Sequence, residues 1–246
     1  MFAEISVEEA FAQIASYQID GMLLLIVTLV DAGLTSVIAG QRRVQMVNHP
    51  ERQMHIVAVG ASADGIQAIS NLLHVLPSTL NAAILVVLHR PPEYSSVLPE
   101  VLARDTRLHV VVPKEGDRLR RGFCYVGTPG DHLTIDPDMR IHLLPDGFYR
   151  MHNINALFQS LAQHAGPQTI GVVLTGLLKD GVLGLKAIKE AGGVALVQSP
   201  EQASYPDMPR NAIRDDGKID RIGSIHDLAN EILRLTQSEY FPKVAS

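Results

Sequence analysis

The stretch IVAVGASADGIQAI, residues 56–69, decides the fold because a buried strand gives way to a helix within a few residues. It begins with a continuous apolar run, which is typical of a strand covered on both faces of a parallel sheet. From Ile66 onward, apolar side chains recur at helical spacing. The turn between the two elements carries Ser62 and Asp64 between glycines. Such a turn is suited either to holding a dinucleotide phosphate or to presenting a nucleophilic serine.

The same alternation continues along the chain. Further buried strands are predicted at AAILVVLH (82–89), LHVVVP (108–113), TIGVVLTG (169–176) and GVALVQ (193–198), with helices between them, including a proline-opened helix over 91–106. The short segments FCYVGTP, HLTIDP and RIHLLP, separated by proline and glycine turns, predict an insertion of β-hairpins. The sequence therefore predicts an α/β fold with a doubly wound, mainly parallel, Rossmann-like sheet and a β-hairpin insertion.

Residues 1–50 differ from the rest and are predicted to form an apolar helical extension and linker ahead of a domain over 51–246. The stretch 22–40 nearly reaches the roughly 20 residues that span a bilayer. Asp31 in its middle is costly in a membrane, and the acidic region before it argues against a signal peptide. We therefore favour a helix that is buried or contacts a signalling partner through residues 1–40, with membrane association as the less favoured alternative.

Composition excludes several classes of protein. The formal net charge of −5 argues against a nucleic-acid partner, which usually meets a basic face. The single cysteine, Cys124, excludes an intramolecular disulfide and suits a reducing compartment, so we expect a cytoplasmic protein. The sequence shows no Cys/His spacing of zinc type, and we predict neither a metal nor a cofactor.

Three polar residues follow three of the predicted strands. Ser62 follows the first strand, His89 ends the second, and Asp180 comes shortly after TIGVVLTG. Because the carboxyl ends of parallel strands share one edge of a sheet, we expect these side chains to lie close together. They are the residue types of a nucleophile, a general base and an orienting carboxylate. Each alone also has an ordinary interpretation as a helix cap, a structural histidine or a turn residue.

A dinucleotide site is the competing interpretation. The segment GASADG lacks the G-x-G-x-x-G pattern, and no acidic residue ends the second strand to hold a ribose. Arg90 could meet the 2′-phosphate of NADP. That interpretation leaves Asp180 without a role.

Five segments together resemble the catalytic domain of the bacterial chemotaxis protein-glutamate methylesterases (CheB-type), from about residue 56 to residue 235. The family typically shows G-A-S-T-G-G, Q-H-M-P-P, D-G-…-L-x-x-G-x-x-Y-I-A-P-G-D-x-H, T-G-M-G-x-D-G and G-M-P-R-x-A. The corresponding segments here are GASADG (60–65), LHRPP (88–92), EGDRLRRGFCYVGTPGDHL (115–133), TGLLKDG (175–181) and DMPRNAI (207–213). Their order and spacing match as well.

The resemblance implies an activity and a set of roles. Ser62 is implied as the nucleophile, His89 as general base and acid, and Asp180 as the orienting carboxylate. The backbone N–H groups of Ala63 and Leu177 are implied as the oxyanion hole. The implied reaction is hydrolysis of glutamate methyl esters on chemoreceptor helices, with deamidation of glutamines as a side activity and no cofactor.

The resemblance also implies a substrate loop at Met208, Pro209 and Arg210. This chain departs from the family pattern at Ala63 and Asp64, which replace the threonine and the glycine after the serine, and residues 1–50 are too short for the family's receiver domain. The alternative that these departures support is a catalytically impaired CheB-like binding module in a signalling complex.

Overall fold

The computed structural model describes residues 12–19, 22–29, 34–39, 45–48, 54–90, 97–145, 152–215 and 218–237. The chain divides into two compact units, Met1–Gln53 and Met54–Ser246. Among the described helices, none is long and apolar enough to cross a membrane. The predicted linker is VNHPERQ, residues 47–53, and its part from residue 49 onward lies outside the described residues, as do residues 91–96 of the predicted helix over 91–106.

The first unit contains an antiparallel four-stranded sheet, so the prediction of a helical extension is wrong. Its strands pair in chain order: β1 (Ala12–Ile19), β2 (Met22–Leu29), β3 (Leu34–Ala39) and β4 (Gln45–Asn48). In the sequence, Asp20-Gly21 stands between the residues of β1 and β2, and this dipeptide between two strand-like runs is a strong hairpin signal. Short apolar runs rich in β-branched residues also favour strands. The length and hydrophobicity of such a run do not by themselves distinguish a strand from a helix.

The second unit contains the predicted α/β fold. Its strands are β5 (His55–Ala61), β6 (Ala82–Leu88), β7 (His109–Val111), β8 (Phe123–Val126), β9 (Asp131–Ile135), β10 (Ile141–Pro145), β11 (Thr169–Val173), β12 (Val194–Gln198) and β13 (Arg221–Gly223). Its α-helices are α1 (Gly65–Val75), α2 (Leu98–Asp105), α3 (Asn153–His164), α4 (Val182–Glu190), α5 (Asp207–Arg214) and α6 (Ile225–Gln237). A short 3-10 helix spans Gly166–Gln168.

Seven of these strands form one parallel sheet in the order β13-β12-β11-β5-β6-β8-β7. The chain leaves β5 for β6 on one side and returns to β11 on the other. The strand order therefore reverses between β5 and β11, which is where doubly wound sheets bind their ligands. The predicted fold class is confirmed.

The predicted β-hairpin insertion is confirmed in part. Strands β9 and β10 form an antiparallel two-stranded sheet. The segment FCYV, which the sequence analysis assigned to the same insertion, is instead β8 of the parallel sheet, between β6 and β7. Its consecutive residues Cys124, Tyr125 and Val126 are all buried, which is typical of a strand covered on both faces.

Strand β5 explains how the core is arranged. Val57 and Val59 pack into one apolar cluster with side chains of α1 and α6, and Ile56 and Ala58 pack into a second cluster with side chains of α3 and α4. Because successive side chains point to opposite faces of a strand, both faces of β5 are apolar. This burial holds the carboxyl end of β5, and the turn after it, in one place.

Cys124 gives a direct test of this packing. Its side chain is fully buried, and burial raises the pKa of its thiol to about 12. Because the thiolate is the reactive form, we expect the native protein to resist labelling by 5,5′-dithiobis(2-nitrobenzoate) at pH 8 and to react with one equivalent in denaturant. Stoichiometric labelling without denaturant would contradict the described position of β8.

Candidate active site

Ser62 follows β5 directly and is half-buried. Its N–H donates to Thr175 O at 3.0 Å, and its carbonyl oxygen accepts a hydrogen bond from Gly65 N at 2.9 Å. The residue that caps α1 is Asp64, so the hydroxyl of Ser62 is not used as a helix cap. Within the described part of the chain, Ser62 Oγ makes no hydrogen bond, and none joins it to His89. The side chain is therefore available to a substrate.

His89 and Asp180 form a close pair, as the sequence analysis expected. His89 Nε2 lies 2.7 Å from Asp180 Oδ2, with 22% of the histidine side chain exposed and 3% of the aspartate. A backbone bond from His89 N to Ala61 O, 3.2 Å long, continues the pairing of β5 with β6 beyond their ends. His89 therefore lies beside Ser62 on neighbouring strands, which are about 4.8 Å apart in a sheet.

Three backbone N–H groups hold the Asp180 carboxylate besides His89. Ile154 N donates to Oδ2 at 3.0 Å, and Asn155 N and Gly181 N donate to Oδ1 at 3.1 and 2.8 Å. The first two belong to the first turn of α3, whose free N–H groups and dipole favour a negative charge. Sequence reasoning missed these donors because a backbone N–H carries no residue signature.

The pair fixes the histidine ring. Because Nε2 donates to a carboxylate, Nδ1 carries the lone pair and is the nitrogen available to take a proton from Ser62. A second imidazole, which the sequence analysis did not single out, lies near the same carboxylate: His152 Nδ1 is 4.0 Å from Asp180 Oδ1, and 57% of its side chain is exposed.

The sequence predicts oxyanion donors at the backbone N–H groups of Ala63 and Leu177, close to Ser62 and Gly176 in the chain. The N–H groups of Ser62 and Gly176 are used, by Thr175 O and Tyr205 O. Those of Ala63 and Leu177 donate to no atom of the described residues. A Cβ added at Gly176 would lie 2.8 Å from Ser62 Cβ, so the turn after β11 runs directly against the serine. Two N–H groups without an acceptor among the described residues thus lie in the two turns that meet at Ser62.

Asp64 and Leu178 both have left-handed backbone, with φ of 58° and 67°. Both replace glycines of the family pattern, and glycine adopts this conformation without strain. Asp64 makes no capping bond with α1; its Oδ2 accepts a hydrogen bond from Ser204 Oγ at 2.5 Å. The Leu178 carbonyl oxygen accepts one from Asn211 Nδ2 at 2.7 Å. Each turn is therefore held by a side chain from residues 199–214.

The predicted substrate loop is wrong in its local structure. Met208, Pro209 and Arg210 lie in the first turn of α5; Met208 and Pro209 are buried, and Arg210 is exposed. Met208 N donates to Gly176 O at 3.0 Å, so this helix supports the turn beside Ser62. The sequence places a proline at the third residue of the helix, where its missing N–H is tolerated.

Arg90 is not positioned as the dinucleotide alternative would use it. Its Nη2 donates to Gly127 O at 2.5 Å, which turns the guanidinium toward β8. Burial lowers the pKa of this guanidinium from its ordinary value. A cavity of about 310 Å³ opens instead beside the His–Asp pair, lined by His89, His152, Leu178, Lys179, Asp180 and Asn211.

The sequence and fold match known proteins over this unit. The family profile described as CheB methylesterase matches residues 57–232. A protein-glutamate methylesterase/protein-glutamine glutaminase of Lawsonia intracellularis is 30% identical over 191 residues, which are 75% of this chain and 53% of that protein. The Carboxydothermus hydrogenoformans protein named protein-glutamate methylesterase/protein-glutamine glutaminase 1 is 34% identical over 186 residues, which are 72% of this chain and 54% of that protein.

The chain thus spans about half the length of these curated relatives, although it covers 95% of a Leptospira interrogans relative that is 31% identical. The crystal structure of the Thermotoga maritima CheB methylesterase catalytic domain superposes with a TM-score of 0.69 at 24% identity. That superposition covers 74% of this chain and 99% of that one.

Replacing Asp180 by asparagine tests how the carboxylate is held. The new amide nitrogen would replace either Oδ1 or Oδ2, and each of these oxygens accepts from two donors. At least one buried donor would therefore lose its acceptor. We expect the free energy of unfolding, measured in urea, to fall by about 2–4 kcal/mol. Asp138→Asn, at an exposed position in the turn between β9 and β10, is the control and should change it by less than about 0.5 kcal/mol. Equal effects of the two substitutions would refute this role.

Proposed function

The chain belongs to the CheB methylesterase family, and we propose that it is a serine hydrolase that removes methyl esters from glutamate side chains of chemoreceptor helices. The observation that carries the proposal is the 2.7 Å contact between His89 and Asp180 at the sheet edge where Ser62 follows its strand. This is the arrangement that activates a serine hydroxyl. The names of its relatives add support, since those from Lawsonia intracellularis and Carboxydothermus hydrogenoformans are called protein-glutamate methylesterase/protein-glutamine glutaminase.

In the proposed reaction, Ser62 Oγ attacks the ester carbonyl carbon while His89 Nδ1 takes the hydroxyl proton. The carbonyl oxygen becomes an oxyanion, which the N–H groups of Ala63 and Leu177 stabilise. When the intermediate collapses, the imidazolium gives its proton to the departing methoxy group, and methanol leaves an acyl-enzyme. Water then attacks the acyl carbon with His89 as base, releasing the glutamate carboxylate and restoring Ser62.

Asp180 acts in this scheme without accepting the proton. Its carboxylate keeps the Nε2 tautomer of His89 and stabilises the imidazolium that forms during attack. Because the backbone N–H groups of α3 hold the carboxylate, the imidazole is oriented before substrate binds. The same site would release ammonia from a glutamine side chain, which is the side activity that we include in the proposal.

The setting of the reaction is also a proposal. A chain with one buried cysteine suits the reducing cytoplasm, where chemoreceptor helices would be accessible. Residues 1–40 are proposed to contact a signalling partner, here through strands rather than through the helix that the sequence predicted. Regulation of the site would then depend on that contact.

Methanol release tests the activity. We expect the protein to release methanol from receptor cytoplasmic fragments methylated in vitro, and Ser62→Ala to reduce the rate at least about a thousandfold because no acyl-enzyme can form. Ser78→Ala, at an exposed serine after α1, is the matched control and should keep the wild-type rate. If the wild-type protein is no faster than Ser62→Ala, the alternative of a catalytically impaired binding module replaces the proposal.

A further inference from the structure

Leu178 is unusual in both backbone and side chain. Its φ of 67° crowds the Cβ of any residue but glycine, and 59% of its side chain is exposed. Burial therefore contributes little to keeping a leucine here, where the family pattern has glycine. The hydrogen bond from Asn211 holds the turn in place. A large apolar side chain in a strained, exposed position beside a site suggests a role toward a ligand.

The cavity beside His89 and Asp180 gives that side chain a position in the proposed reaction. Leu178 lines the cavity together with the His–Asp pair, so a group bound there contacts Leu178 and lies next to His89, the proposed general base. Its volume of about 310 Å³ is at the lower end of small-molecule pockets. The cavity is therefore of a size for one or two side chains of a larger substrate.

The first turns of α1 and α4, the turn after β11 and the segment before α5 expose further large apolar side chains. We call these side chains and Leu178 the apolar rim. Their exposed fractions are Ile66 47%, Leu177 45%, Leu183 59% and Tyr205 42%. Tyr205 is held against the turn after β11, since its N–H donates to Thr175 Oγ1 and its carbonyl oxygen accepts from Gly176 N. All of these segments follow the carboxyl ends of the parallel strands. Exposed apolar groups along one edge of a sheet indicate a surface that binds another molecule.

We propose that Leu178 is a specificity-determining residue, which contacts an apolar side chain one helical turn from the esterified glutamate of the substrate. The proposal rests on the proposed function, which supplies a helix as substrate. On a helix, residues three or four positions apart lie on one face, so a glutamate ester that reaches Ser62 brings such a neighbour to the rim. The exposed Lys179 beside Leu178 would pair with an unmodified glutamate of the same helix.

Synthetic helices can measure this preference. Each peptide carries one glutamate γ-methyl ester, with leucine at position −4, −3, +3 or +4 in turn and serine at the other three, and a reference peptide carries serine at all four. We expect the wild-type protein to hydrolyse at least one leucine peptide about fivefold to tenfold faster, in kcat/KM, than the reference, since a partly buried leucine contact contributes about that factor.

Two substitutions that accept left-handed backbone then test Leu178 itself. Leu178→Gly and Leu178→Asn should bring the ratio of the two kcat/KM values to within about twofold, because they remove the apolar contact and leave the turn unstrained. Leu144→Asn is the matched control, since Leu144 is 42% exposed on β10, and it should keep the wild-type ratio. Comparing ratios within one variant removes any general effect on folding or turnover.

The outcomes separate this inference from the proposed function. Equal rates on all five peptides, or a ratio that survives both Leu178 substitutions, would overturn the role of Leu178. Ser62-dependent hydrolysis of p-nitrophenyl acetate without turnover of any peptide would overturn it too, while the serine chemistry stands. If neither p-nitrophenyl acetate nor any ester peptide is hydrolysed faster than by Ser62→Ala, the proposed function itself fails.

Discussion

The buried carboxylate of Asp180 is the interaction on which the site depends. A carboxylate removed from water is costly unless hydrogen bonds replace its hydration, and here four donors from three segments do so. The first turn of α3 supplies two of them, the turn after Asp180 supplies one, and His89 supplies the fourth. The contacts that make burial of the charge tolerable therefore also fix the imidazole. The stability of this unit and the geometry of its site have a common cause.

The parallel sheet brings these groups together. Strand β5 lies between β6 and β11, and the backbone pairing continues past the ends of all three strands. His89 N bonds Ala61 O on one side, and Ser62 N bonds Thr175 O on the other. A serine, a histidine and the turn that leads to Asp180 are thus neighbours because of register, although more than a hundred residues separate the first from the last. The apolar runs that bury β5 on both faces keep this register from shifting.

Ser62, His89 and Asp180 could be predicted to converge because strand ends in a doubly wound sheet share one edge. The donors at Ile154 and Asn155 could not, since any residue can supply a backbone N–H. The misassigned β8 and the strands of the first unit have another cause, since short apolar runs look alike whether they pair in parallel, pair antiparallel or form a helix. The family resemblance located the segment around Met208 but not its helical structure. The three residues Met208, Pro209 and Arg210 are too few to show the roughly 3.6-residue spacing of apolar side chains that indicates a helix.

The two glycine replacements, Asp64 and Leu178, are related through one segment. Ser204 bonds the side chain of Asp64, and Asn211 bonds the carbonyl of Leu178, so residues 199–214 hold both left-handed turns. Met208 N joins the same segment to Gly176, between the two turns. Glycine adopts left-handed φ without strain, but it also adopts many other backbone conformations. Aspartate and leucine have fewer accessible conformations, and the hydrogen bonds at Asp64 and Leu178 hold the left-handed one. The side chain of Asp64, two residues after the serine, thus accepts a bond from Ser204 and makes no capping bond at its N-cap position on α1. Residues 199–214 act on the site by holding the turns at Asp64 and Leu178, the second of them through Asn211 of α5.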